Sequence, residues 1–184
     1  MYVKHNNGAD KYSSLAIGLH WLTLLLLIAI YATMELRGIF PKGSDGRNGM
    51  MMWHYMLGLT ILAIVALRLA VRFSSTPPPI QPTPPRWQML FAGAMHVALY
   101  ALMTGMPILG WLTLSAAGKP IPFFGLHLPA LLSQNKELAS QIKEVHETCA
   151  AIGYYLIGLH AAAGLFHHYV VRDTTLRRML PFKS

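Results

Sequence analysis

The sequence predicts an all-α fold, a membrane-embedded antiparallel four-helix bundle, and three observations carry that prediction. Of its 184 residues, 54% are hydrophobic and only 12% charged, with a mean hydropathy of +0.41. A soluble domain carries about twice that share of charge. The apolar residues are gathered into long blocks instead of recurring at helix or strand period. Each block approaches the ~20 residues needed to cross about 30 Å of hydrocarbon. Short connections between such blocks favour up-and-down packing, here as one domain over residues 1–184.

The first span covers about residues 15–36, with Ser13 and Ser14 as candidate N-caps. It is expected to be retained: it is too long for a signal-peptide core, contains His20 and lacks a small-x-small cleavage site. The second covers about residues 50–71 and closes on Arg68 and Arg72. The third covers about 88–114, where Pro107 is expected to kink the helix. The fourth covers about 144–171 and begins with a polar turn.

Among the connections, residues 38–49 are rich in Gly and Pro and predict a short turn. Residues 76–85 hold Pro77, Pro78, Pro79, Pro82, Pro84 and Pro85, a composition that favours a stiff polyproline-like strap. Residues 119–143 are longer and polar in their second half, and are expected to lie as an interfacial segment over one mouth of the bundle. The stretch 118–140 carries no motif.

A net charge of +8 and a pI near 9.8 would suit nucleic acid. The basic residues, however, sit at block edges and form no stripe with interleaved aromatics, so their partners are lipid headgroups. On one side fall Lys4, Lys11, Arg68, Arg72, Arg86, Arg172, Arg177, Arg178 and Lys183. On the other fall Arg37, Lys42, Arg47, Lys119, Lys136 and Lys143. The positive-inside rule therefore places both termini in the cytoplasm. The single cysteine, Cys149, excludes an internal disulfide and any Cys-rich metal site, and no CxxCH motif offers covalent haem attachment.

Histidines inside spans are costly and usually mark function. His146 and His160 are fourteen residues apart, nearly four helical turns. Both imidazoles therefore project from nearly the same face of the fourth span, roughly 21 Å apart along its axis. His54 and His146 each enter their span from the side away from the termini, and can share an outer level. His20 and His160 can share an inner level. Each pair can hold one iron from opposite sides, as in a b-type haem with both axial positions filled, which suits electron transfer. Zinc fits less well, because it prefers four clustered ligands. His96 lies close to the depth of His20. It can replace His160 as ligand, bond a haem propionate, protonate a quinone, or be an ordinary core histidine. His167 and His168, at the inner end of the fourth span, can stand beside a quinone. His5 and His127 lie in a tail and a loop, where ordinary solvated roles are expected.

Several motifs together resemble the bacterial cytochrome b561 family, which is related to the cytochrome b subunits of hydrogenases and formate dehydrogenases. They are Lys11-Tyr12-Ser13 with His20-Trp21, the run from Tyr31 to Gly38, His54, the proline strap and His96. Glu144-Val145-His146-Glu147-Thr148, Gly158-Leu159-His160-Ala161-Ala162-Ala163 and the tail from Asp173 to Met179 complete the set, which spans nearly the whole chain in order. The resemblance implies a four-span cytochrome of the bacterial inner membrane with two haem b groups, ligated at His20, His54, His146 and His160. It implies electron exchange with quinone. Small stand-alone members look like superoxide oxidases that pass an electron from superoxide, or another periplasmic one-electron donor, to ubiquinone. Arg37, Lys42, Arg47 and Lys143 can draw such an anion towards the outer site, or serve headgroups and propionates. Arg37 and Arg68 are candidate quinone or propionate contacts. No catalytic acid, base or nucleophile is expected, and the motifs name no protein partner. A membrane anchor for a dehydrogenase or hydrogenase, and a haem-free histidine-lined metal or proton transporter, are the alternative readings.

Overall fold

A computed structural model describes residues 10–181. Lys4, His5 and Lys183 lie outside them. Four helices long and apolar enough to cross a membrane account for most of the described chain. They are α1 (Ser14–Leu36), α2 (Asp45–Ser74), α3 (Arg86–Ala116) and α4 (Lys136–Phe166). Successive helices pack side by side, α1 on α2, α2 on α3 and α3 on α4. Because short connections reverse the chain each time, neighbours are antiparallel.

The helix starts follow from capping chemistry. Ser13 accepts the Ala16 amide at 3.2 Å, Ser44 that of Arg47 at 3.3 Å, and Asn135 that of Leu138 at 3.0 Å. Pro85 precedes α3, where its missing N–H costs nothing. Two caps lie outside the apolar blocks, so α2 begins at Asp45 instead of near 50, and α4 at Lys136 instead of near 144. Hydropathy marks the buried part of a helix, whereas its cap marks the end, and here polar turns continue the helices beyond the hydrocarbon. α3 stays helical through Pro107, which is itself buried.

The segment between α3 and α4 is a small folded cap. Pro122–Phe123 (β1) pairs antiparallel with Leu126–His127 (β2). Trp111 Nε1 donates to the Pro129 carbonyl at 2.9 Å, and Ser115 Oγ accepts the Leu131 amide at 3.1 Å. Gly118 turns the chain at φ +65°, and the Gln134 side chain lies where its Cβ would stand, 2.8 Å away at the nearest atom. The expected interfacial segment is therefore two things, a hairpin docked beside α2 and the first turns of α4.

The opposite mouth is knitted from three separate segments. Tyr12 donates its amide to the Arg178 carbonyl at 3.2 Å, and Trp21 Nε1 donates to the Met179 carbonyl at 2.7 Å. The Arg178 guanidinium donates to the Pro78 carbonyl in the strap and lies over the Tyr12 ring, 5.6 Å from its centroid.

Ile61, Val65, Leu99 and Met103 form the buried core, with Leu26, Leu27, Ile30, Leu156 and Ile157 packed against it. Ile61 and Val65 lie two and three turns beyond His54, and Leu156 and Ile157 about one turn before His160. The core is thus an apolar belt between the two histidine levels.

Candidate functional site

Two pairs of imidazoles face each other across the bundle. The ring centroids of His54 and His146 are 6.1 Å apart, and those of His20 and His160 are 6.3 Å apart. A metal–imidazole bond of about 2 Å on each side places two such centroids about 6 Å apart. Both separations therefore have room for one metal between the rings and for little else.

Local chemistry orients the outer pair. Thr33 Oγ1 donates to the Ile30 carbonyl at 2.6 Å, so its proton is committed. Its oxygen then accepts from His54 Nδ1, at a long 3.4 Å, and the Ile30 carbonyl is a second acceptor for the same ring. His54 consequently carries its proton on Nδ1 and leaves the Nε2 lone pair free, the state a metal requires. His146 Nδ1 is buried without a hydrogen bond of ordinary geometry, and the Met106 carbonyl is its neighbouring acceptor. Such an orphaned ring nitrogen in an apolar helix fits a site designed to hold something further.

The inner pair is set differently. Arg68 donates to His20 Nδ1 at 3.1 Å and lies over the Tyr100 ring, 5.7 Å from its centroid. Because a guanidinium only donates, the neutral His20 ring here bears its proton on Nε2. Metal at that nitrogen requires Arg68 to turn away, which frees a cation beside the site. His96 is also at this level, its centroid 5.6 Å from that of His160, with the Ala92 carbonyl one turn back as backbone partner. His160 therefore stands between two imidazoles.

Of the remaining candidates, Arg37 stands within electrostatic reach of His54, while His127, His167 and His168 are not gathered at either pair. Arg37 begins a short 3₁₀ turn, Arg37–Ile39, and its guanidinium contacts the sulfurs of Met34 and Met51 at 3.4 and 3.5 Å. His167 and His168 lie in a widened π-helical turn, His167–Val171, after α4. His167 Nδ1 meets Asp173 Oδ2 at 2.6 Å. Burial alone would raise the Asp173 carboxyl, but hydrogen bonds from His167 and Thr175 outweigh it and hold the group below the usual carboxylate range. His127 is exposed in β2.

Four residues, Thr33, Asp173, Tyr31 and Gly153, were given no role by the sequence reading. Thr33 stood in the sequence only as one member of the Tyr31–Gly38 run, with nothing to mark it as a partner of His54. Asp173 has no periodic signal. Tyr31 and Gly153 meet only in space: Tyr31 donates to the Ala150 carbonyl at 3.0 Å, and a Cβ on Gly153 would overlap the Tyr31 oxygen.

Four helices long and apolar enough to cross a membrane, with imidazoles paired at two depths, form the framework of a membrane cytochrome. The family described as prokaryotic cytochrome b561 matches residues 11–182, and the chain belongs to it. "Cytochrome b561 homolog 1" of Escherichia coli (strain K12) is 42% identical over 172 residues, covering 94% of this chain and 98% of that protein. "Probable superoxide oxidase CybB" of Yersinia pestis is 39% identical over 173 residues, covering 94% and 97%. "Cytochrome b561 homolog 2" of Escherichia coli (strain K12) is 30% identical over 182 residues, covering 95% and 93%. Membership makes the chain a multi-pass membrane protein of an electron-transfer family that binds b-type haem.

Proposed function

We propose that the protein is a di-haem b cytochrome of the inner membrane that oxidises superoxide to O2 and delivers the electrons to ubiquinone. The observation that carries this reading is the pairing of imidazoles at metal-spanning distance at two depths. When bound, haem b between paired imidazoles would supply one-electron transfer. His54 and His146 would hold the outer haem, and His20 and His160 the inner one. Thr33 keeps the His54 tautomer suited to ligation, and Arg68 turns from His20 towards a propionate.

His96 keeps its bond to Ala92 and stands beside the inner site as a propionate or proton partner. Quinone takes up two electrons and two protons per quinol, and His167, on the terminus-bearing face, supplies protons. Asp173 fixes the His167 ring through Nδ1 and so leaves Nε2 for proton exchange. With both termini cytoplasmic, Arg37, Lys42 and Arg47 lie on the periplasmic side and attract the superoxide anion. Lys143 contributes less, because it pairs with Glu147 at 2.8 Å. The name of the Yersinia pestis relative supports the choice of superoxide as donor.

The test is superoxide-driven ubiquinone reduction by the purified protein in vesicles, with one quinol expected for every two superoxide ions consumed. Quinol formation that ignores superoxide dismutase would reject the donor. Absence of Soret and α bands in the purified protein would reject the cytochrome itself.

A further inference from the structure

We propose that the inner end of α4 binds a phosphate group, presented by an anionic phospholipid, in a cleft of about 370 Å³ lined by His168, Tyr169, Arg172, Asp173 and Arg177. Nothing in this cleft touches the paired imidazoles, and no haem is needed to form it.

The backbone around the cleft is held from several directions. α4 widens into the π-helical turn His167–Val171, and Arg172 ends it in the left-handed conformation at φ 61°. Widened turns of this kind are rare and concentrate at functional sites. The next residue, Asp173, donates its amide to the His167 carbonyl at 3.2 Å. Thr174 and Gln81 then exchange two hydrogen bonds, amide to carbonyl and amide to hydroxyl, each 2.9 Å. Arg178 binds the strap at Pro78. The turn that carries Arg172 and Arg177 is therefore pinned to the proline strap, and does not hang as a loose tail.

Charge decides what the cleft takes. Among the described residues, neither Arg172 nor Arg177 has a carboxylate partner. Asp173 does not neutralise them: it is 2% exposed, with Oδ2 on His167 at 2.6 Å and Oδ1 on the Thr175 amide at 2.8 Å. Among the described residues, the two guanidiniums have ten N–H groups between them and no hydrogen-bond acceptor, and their forks match phosphate oxygens bidentately. The Tyr169 hydroxyl and the His168 ring add further donors. A quinone head is neutral and offers carbonyl acceptors but no negative charge, so it does not match two guanidiniums in a lining dominated by polar atoms. The cleft lies at the end of a membrane span, and Phe166 and Val170 beside it are exposed for acyl chains. Basic pockets at that depth suit anionic headgroups.

The experiment measures lipid retention by the purified full-length protein, by native mass spectrometry and by thermal denaturation. Phosphatidylglycerol, phosphatidylcholine and inorganic phosphate are titrated separately. Phosphatidylglycerol is expected to bind and raise the melting temperature, and Arg172→Gln/Arg177→Gln should weaken it roughly tenfold or more, with phosphatidylcholine unchanged. Should the double variant fail to fold, Arg177→Gln alone carries the test, because this exposed side chain anchors nothing in the fold. Equal phosphatidylglycerol affinity in variant and parent overturns the site. Saturation by inorganic phosphate with no preference for phosphatidylglycerol overturns the lipid as its source. Loss of quinone binding with unchanged lipid binding in the variant would assign the cleft to quinone and likewise overturn the proposal.

Discussion

At the scale of single residues, the two imidazole pairs differ in readiness. His54 is held with its Nε2 lone pair free, whereas His20 must first give up Arg68. If the proposed ligands are right, His54→Ala and His146→Ala each lose the same haem, and His160→Ala spares it. Redox titration of the α band, which resolves the two centres, checks this. His96→Ala should keep both haems and shift only the inner potential. Loss of the His20-dependent haem in His96→Ala, with its retention in His160→Ala, would reassign the inner ligand. The histidine positions were legible because a titratable group in an apolar run stands out, and because helical rise converts spacing into depth. The tautomers were not legible, since they depend on Thr33 and Arg68 reaching across from other helices.

At the scale of elements, the seam between α1 and α4 is closed by side chains more than by backbone approach. Tyr31 donates to the Ala150 carbonyl, its ring lies 4.3 Å from that of Tyr154, and Tyr154 donates to Glu35 at 2.6 Å. Gly153 is required where Tyr31 crosses. Gly153→Ala should therefore destabilise the bundle by about 1 to 3 kcal/mol through overpacking. Tyr31→Phe alone should cost about 1 kcal/mol, as interhelical bonds in membranes do. Combined, the two should cost less than their sum, because the nearest remaining atom of the ring, Cζ, is 3.6 Å from the added Cβ. Thermal unfolding of the three variants in detergent measures the coupling, and strict additivity would refute the contact. The helices themselves were readable as apolar blocks, but α2 and α4 extend past those blocks because Ser44 and Asn135 cap them in polar sequence. The hairpin at Pro122–Phe123 was illegible, since a pair of two-residue strands leaves no period to detect.

At the scale of the molecule, the face formed by Tyr12, the strap and Arg178 closes one mouth, and the hairpin lies at the other. The orientation proposed from basic residues makes the first of these cytoplasmic. An alkaline phosphatase fused to the C-terminus should then be inactive and a fluorescent protein bright, and the reverse pattern would invert the whole assignment. The general architecture was legible from composition, because a bilayer permits few ways to satisfy the backbone. The knitting of Tyr12, Pro78 and Arg178 was not, as it joins segments up to 166 positions apart in the sequence.

The belt of Ile61, Val65, Leu99 and Met103 gives the molecule an electrical character. The side chains of these four residues carry no hydroxyl, carboxylate or imidazole through which a proton could hop, and an electron needs no such stepping stones. On the proposed reading, a charge that crosses from the His54 level to the His20 level does so uncompensated. The bundle then behaves as a capacitor plate pair, and each crossing works against up to about 2.3 kcal/mol per 100 mV of membrane potential. Turnover would slow as the membrane becomes energised, so the state of the bilayer, besides the supply of donor, would set the rate.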